Sequence, residues 1–119
     1  MAAAAVLRSM DRFGYRDEAI RKMKMSLAEL LVNAIEHGNA KDPSRRVTIG
    51  HVVDAAQAKV SIMDEGPGFN PAAVPDPTLP GNIERDRGRG LYLVRRLVDR
   101  MSHNARGNRV TIVKDYKPL

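Results

Sequence analysis

The segment 17–38 is the feature that most restricts how this chain can fold. Its apolar residues recur at intervals of three and four, which predicts an amphipathic α-helix with one side facing a core. We expect this helix to begin with Asp17 as its N-cap and to end at about His37, where Gly38 and Asn39 supply a stop signal. The apolar side consists of Ile20, Met23, Leu27, Leu30, Leu31 and Ala34.

The opposite side of this predicted helix carries Glu29, Asn33 and Glu36, which lie about one turn apart. An asparagine inside a helix costs helix propensity, so its placement suggests a role other than solvation. A carboxylate and an amide oxygen one turn apart can hold a hard cation, or one can orient water while the other binds the ion. A solvated polar face without a site remains the alternative for this pair taken alone.

The remaining periodicities predict a single domain over residues 1–119, in the order helix, helix, two strands, loop, helix, two strands. This order predicts an α/β (α+β) two-layer sandwich, with helices on one face of a mixed, mainly antiparallel sheet. Besides the long helix, the predicted elements are a helix over 2–13, strands over 46–53 and 59–63, a helix from Gly88 with apolar residues as far as Met101, and strands over 102–105 and 108–114.

The composition argues against several classes of function. The chain has no cysteine, which excludes disulfides and thiolate chemistry and fits a reducing cytoplasm. Its apolar runs are too short for a membrane span, so we expect a cytoplasmic protein without a membrane partner. The net charge of +6 suits an anionic partner, but aromatic residues make up only 4%. A base-stacking surface is therefore poorly supplied, and nucleic acid is not the expected partner.

Two further clusters contain glycines at alternate positions. Asp64 ends a predicted strand and starts the motif 64–68, in which a carboxylate can accept from an exocyclic amine beside a flat ligand. The same residues also form ordinary turns. The motif 88–90 opens a helix, where free N–H groups and the helix dipole favour a phosphate. The Pro- and Gly-rich stretch 69–87 between the two motifs is unusually long for a loop in a small domain.

Together, the three clusters resemble the N, G1 and G2 boxes of the GHKL (histidine-kinase-like) ATPases, whose ATP-binding domain has the Bergerat fold. The resemblance extends from about Val6 to Lys114. Within that superfamily, the segments 33–39, 75–78 and 106–111 are similar to those of bacterial anti-sigma-factor serine kinases. The family usually begins with a strand before its first helix, and this sequence shows no such strand.

The resemblance implies ATP and Mg²⁺ as cofactors and gives each site residue a role. Glu29 would be the general base that takes a proton from a serine hydroxyl, and Asn33 would coordinate magnesium. Asp64 would receive the adenine amine, with Thr111 supporting it through water. The remaining contacts would be Gly66 and Gly68 at the adenine edge, Gly88 and Gly90 at the phosphates, and Phe69–Arg87 as a lid. From its charge and position, rather than from the resemblance, we expect Arg89 at the terminal phosphate.

The implied function is an ATP- and magnesium-dependent serine/threonine protein kinase of the anti-sigma-factor type, which regulates transcription by partner switching. Its expected partners are an anti-sigma-factor antagonist with an acceptor serine, a sigma factor, or both, and a homodimer is left open. The alternative is a non-catalytic ATP-binding regulatory domain, such as a fragment of a larger response-regulator, phosphatase or histidine-kinase-type protein. The presence of Glu29 favours the enzyme. A basic nucleic-acid binder, the third class, predicts steep salt dependence and no competition by ATP.

Overall fold

The computed structural model describes residues 2–67 and 86–117, with residues 86–89 described as backbone only. The helices and strands follow one another in the predicted order. The helices are α1 (Ala2–Arg12), α2 (Asp17–Val32) and α3 (Asp86–Leu97), and the strands are β1 (Val47–Val53), β2 (Gln57–Asp64), β3 (Arg100–His103) and β4 (Arg109–Asp115). Helix α2 continues directly into a π-helical turn, Asn33–Gly38. Most of the predicted lid, Phe69–Arg87, lies outside the described residues.

The sheet has the strand order β1-β2-β4-β3, and the helices pack on one of its faces. Every neighbouring pair in the described part is antiparallel, so the sheet predicted as mixed is uniformly antiparallel there. The predicted two-layer α/β sandwich is confirmed. None of the described helices combines the length and the hydropathy that a membrane span requires.

Alternation along β2 decides which side chains reach the core. Val60 and Ile62 are buried beneath the helices, whereas Ser61 between them faces the other side of the sheet. Val60 pairs with Ile112 of β4, which is also fully buried. From the helical layer, the large apolar side chains that are at most 2% exposed are Val6, Met10, Met23, Leu27, Leu30 and Val94. Each such large side chain contributes roughly 1.5–3 kcal/mol through its removal from water.

Two predictions about the first helices were wrong. Helix α2 begins at Asp17, but Arg16 occupies the N-cap position and no side chain caps the helix. Asp17 instead lies in the first turn, where its charge still favours the helix dipole. The sequence predicted a helix over 2–13, but α1 ends at Arg12, and Phe13, which follows it, is 46% exposed.

The predicted end of the third helix was also wrong. Met101 has helical spacing to the preceding apolar residues, but it lies in β3 with its Cα opposite Ile112. The Asp99 N–H donates to the carbonyl of Val113 at 2.9 Å, which draws the chain into the sheet immediately after α3. An apolar residue at this position satisfies both periodicities, and strand pairing decides between them.

Candidate functional site

The site is built around the point where α2 changes into its π-helical turn. The sequence predicted an α-helix as far as about His37, but the α-helical part ends at Val32. In the wider turn, the Asn39 N–H donates to the carbonyl of Ala34, five residues earlier, at 2.8 Å. The wide turn begins at Asn33, the predicted magnesium ligand. Such turns are frequent at functional sites.

Asn39 ties the end of this turn to the sheet. It is 2% exposed, and its side-chain oxygen accepts a hydrogen bond of 2.8 Å from the Glu65 N–H. Its side-chain nitrogen donates to the carbonyl of Arg46 at 3.1 Å. The sequence identified Asn39 only as part of a helix stop, whereas the structure makes it the joint between the helix end and the segments that flank β1 and β2.

The joint brings two glycines against Asp64. A Cβ built on Gly38 would lie 2.2 Å from Asp64 Oδ2, and one built on Gly66 would lie 1.8 Å from the Gly38 carbonyl oxygen. The Gly66 N–H also donates to Asp64 Oδ1 at 2.8 Å. Only residues without a Cβ allow these backbones to approach so closely. Asp64, at the end of β2, is 8% exposed and is held facing the helices.

A cavity of about 350 Å³ opens between α2, the π-helical turn and α3, a volume within the usual range for small-molecule sites. We call it the helix cavity. Val32 and Leu93 are apolar, and the other side chains around it are polar. Its lining residues are Glu29, Val32, Asn33, Glu36, His37, Gly90 and Leu93.

Gly90 brings α3 into contact with the two polar residues of α2 that the sequence singled out. A Cβ on Gly90 would lie 2.9 Å from Glu29 Oε2 and 3.4 Å from Asn33 Nδ2. A side chain at this position would therefore displace the carboxylate. The structure thus brings Glu29, Asn33 and Gly90 together at one cavity.

A second, smaller cavity lies between the helices and the sheet; we call it the sheet cleft. It has apolar walls from Leu30, Ile62 and Leu91 and polar groups from Asp64 and Asn33. Its volume is about 30 Å³, space for about two water molecules, so a purine would enter only with rearrangement of the surrounding side chains.

Asn33 lines both cavities and therefore stands between Glu29 and Asp64. It is 8% exposed, and its Nδ2 is buried without a hydrogen-bond partner among the described residues. A buried amide without a partner is costly, which indicates that a polar ligand or a water molecule completes its hydrogen bonding.

The sheet cleft also contains two residues that the sequence did not single out. His103, at the end of β3, and Asn108, just before β4, both line it. The Asn108 carbonyl accepts from the Asp64 N–H at 2.9 Å, and its side-chain nitrogen donates to the Asp64 carbonyl at 3.3 Å. Asn108 lies in the segment 106–111 that resembles the anti-sigma-factor serine kinases, whereas His103 has no such signal. The strand register that places both residues at the cleft was not predictable from the sequence.

Thr111 is not brought into the site. It lies between Val110 and Ile112, which are buried under the helices, so strand alternation turns it to the opposite face. There its hydroxyl lies 3.0 Å from the hydroxyl of Ser61, its neighbour on β2. The sheet separates Thr111 from Asp64, and the expected water-mediated support of the adenine does not fit this geometry.

The other predicted phosphate and adenine residues are described only in part. Helix α3 begins at Asp86, two residues before Gly88, so Gly88 and Arg89 lie in its first turn and Gly90 lies just beyond them. The N–H groups of a first turn lack partners within the helix and can bind an anion. The side chain of Arg89 and the whole of Gly68 lie outside the described residues.

The sequence as a whole matches a known family. The histidine kinase-like ATPase domain family matches residues 1–114. A serine-protein kinase RsbW of Oceanobacillus iheyensis is 27% identical over 100 residues, covering 79% of this chain and 63% of the relative. The RsbW of a Listeria monocytogenes strain is 23% identical over 94 residues, covering 74% and 60%. The chain thus spans less than two thirds of the length of these relatives.

Solved structures of low sequence identity share the fold. The mycobacterial sensor histidine kinase MprB superposes with a TM-score of 0.58 at 21% identity, covering 84% of this chain and 74% of that structure. The histidine kinase domain of the Erythrobacter litoralis EL346 blue-light activated histidine kinase gives a TM-score of 0.57 at 20% identity, covering 83% and 47%. At these identities the likeness establishes the fold alone.

Proposed function

Because the chain belongs to the histidine kinase-like ATPase domain family, we propose that it is an ATP- and magnesium-dependent serine/threonine protein kinase of the anti-sigma-factor type. Its activity would regulate transcription by partner switching. Family membership implies ATP binding, and the names of the similar serine-protein kinases support the choice of reaction. The single observation that carries the proposal is the meeting of Glu29, Asn33 and Gly90 at one cavity.

The two cavities suggest how ATP would lie in this site. The adenine amine would donate to Asp64 at the sheet cleft, with Gly66 and Gly68 along the edge of the ring. The phosphates would extend past Asn33 into the helix cavity, toward Gly90 and the N–H groups of Gly88 and Arg89. Phe69–Arg87 would form the lid. Since Asn33 lines both cavities, one ligand that spans them would pass it.

The donor groups present fit a magnesium ion bound together with ATP. Among the described residues, no group of three or more His, Asp or Glu side chains could hold a metal alone. Magnesium usually takes one or two protein ligands and completes its shell with phosphates and water. The side-chain oxygen of Asn33, Oδ1, would serve as that ligand. The side-chain nitrogen, Nδ2, has no partner among the described residues and suits a phosphate oxygen or water. When bound, the ion would neutralise charge on the phosphates.

Glu29 would act on the acceptor serine. Its carboxylate would take the hydroxyl proton as the serine oxygen forms a bond to the γ-phosphorus and the bond from that phosphorus to the bridging oxygen breaks. The products are a phosphoserine and ADP. The carboxylate lies beside Gly90, which positions it at the end of the helix cavity closest to α3.

Replacement of Glu29 tests this assignment. Glu29→Gln should lower phosphoryl transfer to an anti-sigma-factor antagonist by about 10²–10⁴-fold, the usual contribution of a general base. ATP affinity measured by calorimetry should remain close to that of the parent chain, because the glutamine keeps the shape of the side chain.

Glu36→Gln is the matched control, since Glu36 is exposed and lines the same cavity. It removes the same charge from the cavity and should have a much smaller effect on transfer. An equal loss of ATP binding and transfer in Glu29→Gln contradicts the role of base. A parent chain that binds ATP but transfers no phosphate to any antagonist supports the non-catalytic alternative, and one that does not bind ATP contradicts the whole proposal.

A further inference from the structure

Two large apolar side chains of α2 are exposed on the side of the helix that carries Glu29. Met25 is 50% exposed and Val32 is 47% exposed. They lie four residues before and three residues after Glu29, and these spacings place all three on one side of the helix. Leu93 of α3 is half-buried and lines the helix cavity together with Val32. We call Met25, Val32 and Leu93 the α2 rim.

We propose that the α2 rim is the docking surface for the protein that carries the acceptor hydroxyl. This inference rests on the kinase function proposed above. The hydroxyl must come within hydrogen-bond distance of the Glu29 carboxylate. A folded protein that reaches Glu29 must also cover Val32, which borders the same cavity. Burial of exposed apolar side chains around the reacting group would supply binding free energy where the acceptor must be held.

The charges beside the rim indicate the kind of surface that would bind there. Arg21, one turn before Met25, and Lys24, directly before it, are both exposed. Lys24 forms no ion pair within the part of the chain that the structure describes. The chain also carries a net charge of +6. The partner should therefore place an apolar side chain on Met25 and Val32 and acidic side chains opposite the two basic residues.

The acceptor-bearing antagonist fits this position better than a sigma factor does. A protein that receives the phosphate has to contact the edge of the helix cavity in every turnover. A protein that is bound without being phosphorylated has no need to approach Glu29. The α2 rim therefore belongs to the acceptor, and a sigma factor on this surface is an outcome that the test can detect.

Steady-state phosphorylation of a purified anti-sigma-factor antagonist tests the surface. Met25→Ser and Val32→Ser should each raise the KM for the antagonist about tenfold, because the rim contributes binding rather than transfer. Met25 does not line the helix cavity, so Met25→Ser should also change kcat little. Arg21→Glu should raise the KM most at low ionic strength, since salt screens exposed charges. The ATP affinity and melting temperature of Met25→Ser and Arg21→Glu, whose residues do not line the helix cavity, should equal those of the parent chain.

Val52→Ser is the matched control, because Val52 is 65% exposed and lies on the face of the sheet opposite the helices. It makes the same substitution at an exposed valine far from the rim and should leave the KM unchanged. An unchanged KM in Val32→Ser overturns the docking surface while the kinase proposal stands. Weaker binding of a sigma factor with an unchanged antagonist KM assigns the rim to the sigma factor and overturns the proposal as well.

Calorimetry with ADP separates docking from transfer. Each antagonist encoded in the same genome is titrated into the parent chain and into Val32→Ser. If the parent chain binds an antagonist without phosphorylating it, and Val32→Ser binds it more weakly, the docking surface is supported and the kinase proposal fails. If the parent chain neither binds nor phosphorylates any of them, both proposals are contradicted.

Discussion

At the scale of single residues, the site depends on glycines as much as on polar side chains. Gly38, Gly66 and Gly90 each occupy a place where a Cβ would meet a neighbouring group at less than 3.0 Å. At Gly66 that neighbour is backbone, the Gly38 carbonyl oxygen, which cannot move aside as a flexible side chain can. The role of Gly66 in the fold is therefore close packing.

Gly66→Ala tests this packing role. The added methyl group would meet the Gly38 carbonyl and should lower the free energy of unfolding by about 1–3 kcal/mol, the usual cost of overpacking. It should also lower ATP affinity, because Asp64 would lose the hydrogen bond from the Gly66 N–H. Urea denaturation and calorimetry measure the two effects.

Gly50→Ala serves as the comparison for Gly66→Ala. Gly50 lies in β1, and a Cβ built there has no neighbouring atom within 4 Å. Alanine at this position should raise the free energy of unfolding by about 0.5–1 kcal/mol, because glycine loses more conformational entropy on folding. Equal effects of the two substitutions would refute the packing role of Gly66.

At the scale of secondary-structure elements, Tyr15 joins the helical layer to the hairpin of β1 and β2. It lies between α1 and α2, and its hydroxyl donates to the carbonyl of Asp54, after β1, at 2.8 Å. Its ring meets Tyr116 edge-on at 5.2 Å between centroids. Burial, followed by the negative charges of Asp54 and Asp115, raises the pKa of Tyr15 from 10.0 to about 12.

The raised pKa predicts a loss of stability in alkali. Below pH 10 the tyrosine is neutral in both the folded and unfolded states, so its full contribution is present. Between about pH 10 and pH 12 the unfolded state ionises first, and the free energy of unfolding should fall as the pH rises. Tyr15→Phe removes the hydrogen bond to Asp54, so its free energy of unfolding at neutral pH should be about 1 kcal/mol lower than that of the parent chain. The variant should also lack the part of the alkaline decline that Tyr15 causes.

Tyr92→Phe controls for the ionisation of other groups in the same range. Tyr92 lies on α3 and is half-buried beside Arg96, outside the contacts of Tyr15 with Asp54 and Tyr116. Its alkaline unfolding curve, measured by urea denaturation at a series of pH values, should follow that of the parent chain. If Tyr15→Phe also follows the parent curve, the stated cause of the decline is wrong.

At the scale of the whole molecule, the candidate site exists only where the two layers meet. Asp64 comes from the sheet, Glu29 and Asn33 from α2 and its π-helical turn, and Gly90 from α3. A nucleotide that spans both cavities would connect all of these segments. Its binding would therefore stabilise the whole fold rather than one element.

Thermal unfolding with Mg²⁺ and ATP should show this connection. At 100 times the dissociation constant, ligand should add about 2.7 kcal/mol to the stability of the parent chain. Asp64→Asn replaces the acceptor for the adenine amine with a group of the same shape and should reduce the ATP-dependent rise in melting temperature. Asp54→Asn, which alters an exposed carboxylate in the turn after β1, should keep the full rise. A full rise in both variants would remove Asp64 from the adenine site.

Much of the fold was predictable because it depends on local periodicity. The apolar spacing of α2 and the alternation in β2 each follow from the geometry of one element. The errors occur where contacts between elements decide the outcome. Met101 suits a helix or a strand, and pairing with β4 selects the strand. Asn33 begins a π-helical turn, and the residues at the end of that turn, Gly38 and Asn39, are held against the end of β2.

The sequence by itself determined the order of the elements, the apolar faces that form the core, and the residues Glu29, Asn33, Asp64 and Gly90 as candidates for one site. Only the tertiary structure decided that Gly90 leaves no room for a Cβ beside Glu29 and Asn33, that Asn108 lies beside Asp64, and that Thr111 lies across the sheet. The physical reason is the distance along the chain over which each effect acts. Periodicity acts over a few residues along the chain, whereas these contacts depend on strand register and on the approach of distant backbones, which are set when the two layers pack together.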